Sequence, residues 1–119
     1  MSYDDSNIFA RILRGEIPCD KVYEDEFALA FHDVNPKAPV HVLVIPKGKY
    51  KSMTEFTMEA KDEEIAGLFR ALGRVLEVLK LKEKGYRMLA NTGIDGGQEV
   101  PHLHLHVFGG KTLGRMISG

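Results

Sequence analysis

Apolar residues recur along this chain with two different periods. Between positions 62 and 81, Ile65, Leu68, Phe69, Leu72, Val75, Leu76 and Leu79 keep the spacing of one helix face. Asp62, Glu63 and Glu64 stand where the helix dipole favours negative charge, and Gly85 is the expected stop. Gly67 and Gly73 interrupt this helix, each at a cost of about 1 kcal/mol relative to alanine. Close packing against a neighbour, or simple tolerance, would account for them. A shorter helix is predicted over 7–14. Ile8, Phe9, Ile12 and Leu13 form its apolar face, Ser6 or Asn7 its cap, and Gly15 its end.

Elsewhere the period shortens to that of strands. Segments 21–24 and 27–33 read as two strands joined by the turn Asp25-Glu26. After the proline-punctuated connection Asn35-Pro36-Lys37-Ala38-Pro39, a third strand covers 41–45 and is stopped by Pro46 and Gly48. A fourth covers 86–91. A glycine-rich loop over 92–99 then leads into a fifth over 100–108, which ends at Gly109-Gly110. Helix, strands, helix, strands is the order of an α+β fold with a mostly antiparallel sheet. No repeat or linker divides the chain, so residues 1–119 are read as a single domain.

Charge and composition narrow the function classes. The formal net charge is −1 and the charges are mixed, so the basic stripe that holds nucleic acid is missing. No apolar run approaches the roughly 20 residues of a membrane span. Residues 1–5 lack the basic and then apolar pattern of a secretory signal. The one cysteine, Cys19, cannot form an internal disulfide and reads as a small half-buried thiol. A cytoplasmic location is the expectation.

The candidate chemistry lies in the fifth strand. His102, His104 and His106 alternate with Leu103, Leu105 and Val107. On extended backbone one face carries three imidazoles and the other enters a core. Three metal ligands from one strand are disfavoured, because His102 and His106 would lie roughly 13 Å apart at about 3.3 Å per residue. An adjacent pair such as His102 and His104 could share a metal only with help from His41, His32 or a carboxylate. Histidines satisfied by backbone groups alone are a second alternative. A phosphate-directed site accounts best for the loop as well: Gly93, Gly96 and Gly97 would bring backbone N–H groups close to an anion. A neutral imidazole has a lone pair able to attack phosphorus. No metal and no other cofactor is expected.

The run Gln98-Glu99-Val100-Pro101-His102-Leu103-His104-Leu105-His106-Val107 resembles the signature of the histidine triad (HIT) family. The likeness spans nearly the whole chain. Gly15-Glu16-Ile17-Pro18, Ala30-Phe31-His32-Asp33, Ala38-Pro39-Val40-His41, Val44-Ile45-Pro46-Lys47, Gly85-Tyr86-Arg87-Met88 and Asn91-Thr92-Gly93 are similar to the Hint branch. The resemblance implies a HIT-like α+β fold of about five strands and two helices, with the sheet extended across a homodimer. It implies hydrolysis of purine nucleoside 5′-phosphoramidates, or acyl-adenylates, to the nucleoside monophosphate through a covalent nucleotidyl-histidine. His104 matches the nucleophile, and His102 the position whose carbonyl sets the nucleophile's tautomer. His106 matches a phosphate donor and His41 a supporting histidine. Asn91, Gly97, Gln98 and Val100 match positions around the phosphate, and Asp33 the ribose acceptor. Ile8, Phe9, Ile12, Phe31, His32, Val34 and Leu43 match the nucleoside pocket, with Phe9 and Phe31 placed to sandwich a purine.

Three positions depart from the Hint pattern. Glu99 stands where some members carry serine; it could act as an acid for the departing amine, or its charge could weaken phosphate binding. Lys49 stands where the family often shows histidine, and the tail after Gly110 lacks the animal members' Trp-Pro-Pro-Gly ending. Two other functions remain open at this point: a nucleotide-binding interaction protein with vestigial hydrolysis, and a Fhit-like dinucleoside polyphosphate hydrolase. Because attack needs a neutral His104, turnover is expected to fall below roughly pH 6.

Overall fold

The computed structural model describes residues 2–117. Its elements run α1 (Ile8–Leu13), β1 (Lys21–Glu24), β2 (Ala28–His32), β3 (Val40–Pro46), α2 (Met53–Glu59), α3 (Asp62–Val78), β4 (Arg87–Leu89) and β5 (Leu105–Gly109). The strands form one sheet in the order β1-β2-β3-β5-β4, with every neighbouring pair antiparallel. The expected α+β class and five-stranded antiparallel sheet are therefore present. No helix among the described residues is long and apolar enough to cross a membrane.

The sheet buries both faces. On one, α3 lays Leu68, Leu72 and Val75 over Ala28, Ala30, Val42 and Val44, together with Leu103, Leu105 and Val107. On the other, α1 contributes Phe9 to a second cluster with Leu29, Phe31, Leu43 and Ile45. This two-sided burial explains why β2 and β3 read as nearly continuous apolar runs. It also places the histidines opposite the α3 core, as their alternation with Leu103, Leu105 and Val107 required.

Several boundaries differ from the sequence reading, each for a local reason. The described residues form three helices rather than two. α2 is a short segment that buries only Phe56, too little for a helical period to show. Its cap is legible in hindsight, since the Ser52 hydroxyl accepts the Thr54 N–H at 3.2 Å. α3 stops at Val78, well short of Gly85. Lys80 adopts the left-handed region (φ 57°), and the Leu81 N–H returns to the Leu76 carbonyl while the Lys80 N–H returns to Glu77. A lysine in that conformation carries no sequence signal, whereas glycine would. β3 runs through Pro46, which pairs with Ala28 across the strands. β4 is shorter than 86–91 and β2 shorter than 27–33, where Asp25 Oδ1 accepts the N–H groups of Phe27 and Ala28.

The two helical glycines separate cleanly. A Cβ on Gly67 would lie 2.3 Å from the Phe27 ring, so close packing explains it. A Cβ on Gly73 would meet nothing within 4 Å among the described residues.

The expected strand over 100–108 begins only at Leu105, so His106 is its one histidine. Ahead of it the backbone turns at Pro101, with the His102 N–H returning to the Val100 carbonyl at 2.9 Å. The Leu103 N–H then bonds the Tyr50 carbonyl at 2.8 Å. The three imidazoles consequently occupy three different environments.

Candidate active site

Each of four imidazoles has at least one ring nitrogen committed to a partner, and those partners fix the tautomers. His104 is 7% exposed, and its Nδ1 lies 2.7 Å from the carbonyl of His102. A carbonyl only accepts, so Nδ1 carries the proton and Nε2 keeps its lone pair. His102 is fully buried; its Nε2 donates to the Pro46 carbonyl at 2.9 Å, leaving Nδ1 to accept the Tyr3 hydroxyl at 2.5 Å. The Lys37 N–H donates to His41 Nδ1 at 3.1 Å, so His41 Nε2 bears the hydrogen. That N–H points to His106 Nδ1 at 3.0 Å. The remaining nitrogen of His106, Nε2, is thereby a donor. One lone pair, on His104, and one N–H, on His106, are prepared on rings whose centroids lie 4.9 Å apart.

The environment keeps these rings neutral. Burial pushes His102 down to about 4. Burial, and then the neighbouring imidazoles, bring His106 to about 4. His104 and His41 are likewise held below the ordinary histidine value by desolvation, with Asp33 pulling both back only in part. A neutral imidazole is the form that attacks, so the fold supplies the active protonation state at neutral pH.

The rings of His41, His104 and His106 open onto a cleft of about 380 Å³. It is lined by Ile8, Phe9 and Ile12 of α1, by Phe31 and His32 of β2, and by Asp33, Val34, His41 and Leu43. Asn91, Gly97, Glu99, Val100, His104 and His106 close its other end. All of these positions were singled out in the sequence. Buried Phe9, Phe31 and Leu43 form the floor, while Ile8 (47% exposed) and Val34 (91% exposed) stand on the rim. Leucine-like side chains that project into solvent beside a cleft suit the face of a flat apolar ring.

Three expectations need correction. Phe9 and Phe31 cannot sandwich a base, because their centroids are 5.7 Å apart at 66°, already in edge-to-face contact. Phe9 also sets its edge against His104, at 4.9 Å. Gln98 does not line the cleft; its amide donates to the Lys51 and Val100 carbonyls at 2.7 and 2.9 Å and braces the loop. The His102 carbonyl lies 2.7 Å from His104 Nδ1, the contact that the sequence expected of it, and the His102 side chain is beneath the site. The glycine loop does not turn all its N–H groups to an anion. Gly97 N–H is held by the Ile94 carbonyl and Gly93 N–H faces Gln98 Oε1. Gly96 serves the turn itself, since a Cβ there would meet the Thr92 carbonyl at 2.3 Å.

Other residues in or beneath the cleft were not assigned a site role from the sequence. Tyr3 reaches His102 from 99 positions away. Lys37 acts through a backbone N–H, which any residue but proline could supply. Phe108 packs on both His41 (4.3 Å) and His106 (5.6 Å, nearly parallel). Ile17, Pro18, Cys19 and Asp20 line the far end. Asp33 Oδ1 accepts the Asn35 N–H at 2.8 Å, and its Oδ2 lies 3.4 Å from His41 Nε2.

Asp33, His41 and His106 bring one possible ligand atom each within 4.8 Å of one another, a set different from the His102–His104 pair. The tautomers oppose a metal there. A metal-bound imidazole normally donates its other N–H, but His41 Nδ1 accepts one from Lys37.

A neutral, backbone-oriented histidine at the end of a nucleotide-sized cleft, carried on this five-stranded sheet, defines a class of protein. A family model described as the HIT domain matches residues 14–113, and the chain belongs to that family. It is 62% identical over 117 residues to an uncharacterised 13.2 kDa HIT-like protein of Azospirillum brasilense, covering 98% of this chain and 96% of that one. It is 37% identical over 114 residues to the purine nucleoside phosphoramidase of Escherichia coli K12, covering 96% and 95%. Among solved structures, a HIT family hydrolase from Clostridium thermocellum superposes with a TM-score of 0.87 at 39% identity, covering 97% of this chain and 99% of that one. A histidine triad protein from Clostridium difficile gives 0.86 at 39% identity, covering 98% and 100%.

Proposed function

We propose that the protein hydrolyses purine nucleoside 5′-phosphoramidates to nucleoside monophosphates through a nucleotidyl-histidine intermediate. The observation that carries this reading is the 2.7 Å bond from His104 Nδ1 to the His102 carbonyl. It leaves a neutral, oriented lone pair on Nε2 at the phosphate end of the cleft. The likeness to a named purine nucleoside phosphoramidase supports the substrate class.

In the first step, His104 Nε2 attacks phosphorus, the P–N bond breaks, and the amine leaves with a proton. His106 Nε2–H faces the developing charge on the phosphoryl oxygens. Positive charge on the attacking ring is eased through Nδ1–H and the His102 carbonyl. In the second step, water attacks the same phosphorus, the P–Nε2 bond breaks, and the ring returns to its starting tautomer. Glu99 is exposed at the cleft mouth, where it is placed to exchange a proton with the departing amine or the entering water. Asp33 accepts the ribose hydroxyls, and the apolar floor and rim hold the purine.

His104→Ala should abolish turnover of an adenosine phosphoramidate while AMP still binds. Wild-type-like turnover in that variant excludes the mechanism. Diadenosine triphosphate turned over faster than the phosphoramidate would instead favour a Fhit-like hydrolase.

The same reading includes a homodimer. β4 is a three-residue edge strand, and Met88 on it, Tyr86 beside it and Phe69 and Val78 on α3 are exposed. A second copy pairing along β4 would extend the sheet and cover them. Sedimentation should show a dimer, and Met88→Glu with Phe69→Glu a monomer; a monomeric wild type contradicts this part.

A further inference from the structure

The two ends of the cleft differ in chemistry, and the sheet register measures the distance between them. His106 pairs with Leu43, Leu43 with Phe31, and Phe31 with Lys21 at the start of β1. That line crosses three strand spacings, about 14 Å at about 4.8 Å each. An extended nucleoside monophosphate, with phosphorus at His104, places the edge of its base near the beginning of β1. The segment found there is Ile17-Pro18-Cys19-Asp20.

Most of this end is apolar. Ile8, Phe9, Ile12, Ile17 and Phe31 can hold a flat ring but cannot read its edge. Asp20 is the carboxylate among them. Its backbone is pinned, with its carbonyl accepting the His32 N–H at 2.9 Å. The cation next to it is engaged elsewhere, because Lys21 Nζ pairs with Glu24 at 2.6 Å. Glu24 also holds Lys47 at 2.8 Å, and the two lysines bring its carboxyl down to about 2. The Asp20 carboxylate is thus left exposed to the cleft as a pair of acceptors.

Purines differ on the edge that such a group would meet. Guanine presents two adjacent donors, N1–H and the 2-amino group. Adenine presents one donor, the 6-amino group, beside the bare acceptor N1. A carboxylate matches both guanine donors with charge-assisted bonds, but against adenine it gains one bond and one acceptor–acceptor repulsion. We propose that Asp20 is the base-reading residue of this cleft and that it selects guanine over adenine nucleotides. The assignment rests on the reading of the cleft as a purine nucleotide site.

The test compares guanosine and adenosine 5′-phosphoramidates of one amine, and separately the dissociation constants of GMP and AMP. The wild type should favour guanosine about tenfold in kcat/KM, a modest factor because Asp20 is exposed. In Asp20→Ala the ratio should fall to near one, through a higher KM for guanosine with little change in its kcat. Asp20→Asn, which keeps one acceptor, should lie between. The GMP-to-AMP affinity ratio should collapse in parallel. A wild-type ratio of one or less, or a guanine preference that survives in Asp20→Ala, overturns the assignment. Asp20-dependent binding of GMP without turnover of either phosphoramidate would refute the hydrolysis and uphold the base reading. Turnover of both without discrimination would do the reverse.

Discussion

Lowering the pH should destabilise this protein through His102. This side chain is fully buried, and burial lowers its proton affinity from an ordinary value near 6.5 to about 4. The unfolded chain therefore takes up the proton first as the pH falls. Stability attributable to this residue is complete above about pH 6.5, declines between 6.5 and 4, and levels off below. With those two values, going from pH 7.5 to 5 costs about 2 kcal/mol. For a domain of this size, that shifts a urea midpoint by about 1 M. The control is His102→Gln, which cannot titrate but keeps an amide able to reach the Pro46 carbonyl. Urea melts of both proteins across this range should show the wild type losing about 2 kcal/mol more than the variant. Equal losses would mean that His102 is protonated in the folded protein without penalty, and the neutral-site argument would fail.

Other consequences of the geometry are open to direct measurement. Since His104 must be neutral to attack and burial lowers its proton affinity, the acid limb of kcat/KM should lie below the ordinary histidine value near 6.5; a limb centred at that value or above contradicts this. His41→Ala should lower kcat about 10- to 100-fold by freeing His106 Nδ1 from its donor, and His41→Gln should recover part of the loss. Indistinguishable kcat values for wild type and the alanine variant would remove His41 from the proton-positioning chain. Gly67→Ala should destabilise by about 1–3 kcal/mol in urea melts, because Phe27 occupies the space of the new methyl; a more stable variant would show that the helix gains more from alanine than the packing loses.

Much of this architecture could be read from the sequence because local and global patterns agree. The apolar stripe from Ile65 to Leu79 had one use, to cover a sheet, and it does so through Leu68, Leu72 and Val75. Alternation at 102–107 correctly assigned the imidazoles and the aliphatic side chains to opposite faces, although the regular strand is shorter than the alternating run. What periodicity could not carry was the direction of individual polar groups. Gln98 sits beside the triad in sequence, yet its amide is spent on Lys51 and Val100. Tyr3 is remote in sequence and bonds His102 directly. The proton positions depend on carbonyls and N–H groups of Pro46, His102 and Lys37, and backbone groups have no residue identity to read. α2 and the Lys80 cap escaped for a related reason: one is too short for a period, and the other uses a conformation that lysine rarely adopts.

The central claim is that the nucleotidyl group passes through the protein before reaching water. Its most direct test is the stereochemical course at phosphorus, followed with a chiral phosphorothioate analogue of the phosphoramidate hydrolysed in isotopically labelled water. Two in-line displacements, first by His104 and then by water, predict net retention. Net inversion would show a single displacement by water, with His104 never bonded to phosphorus.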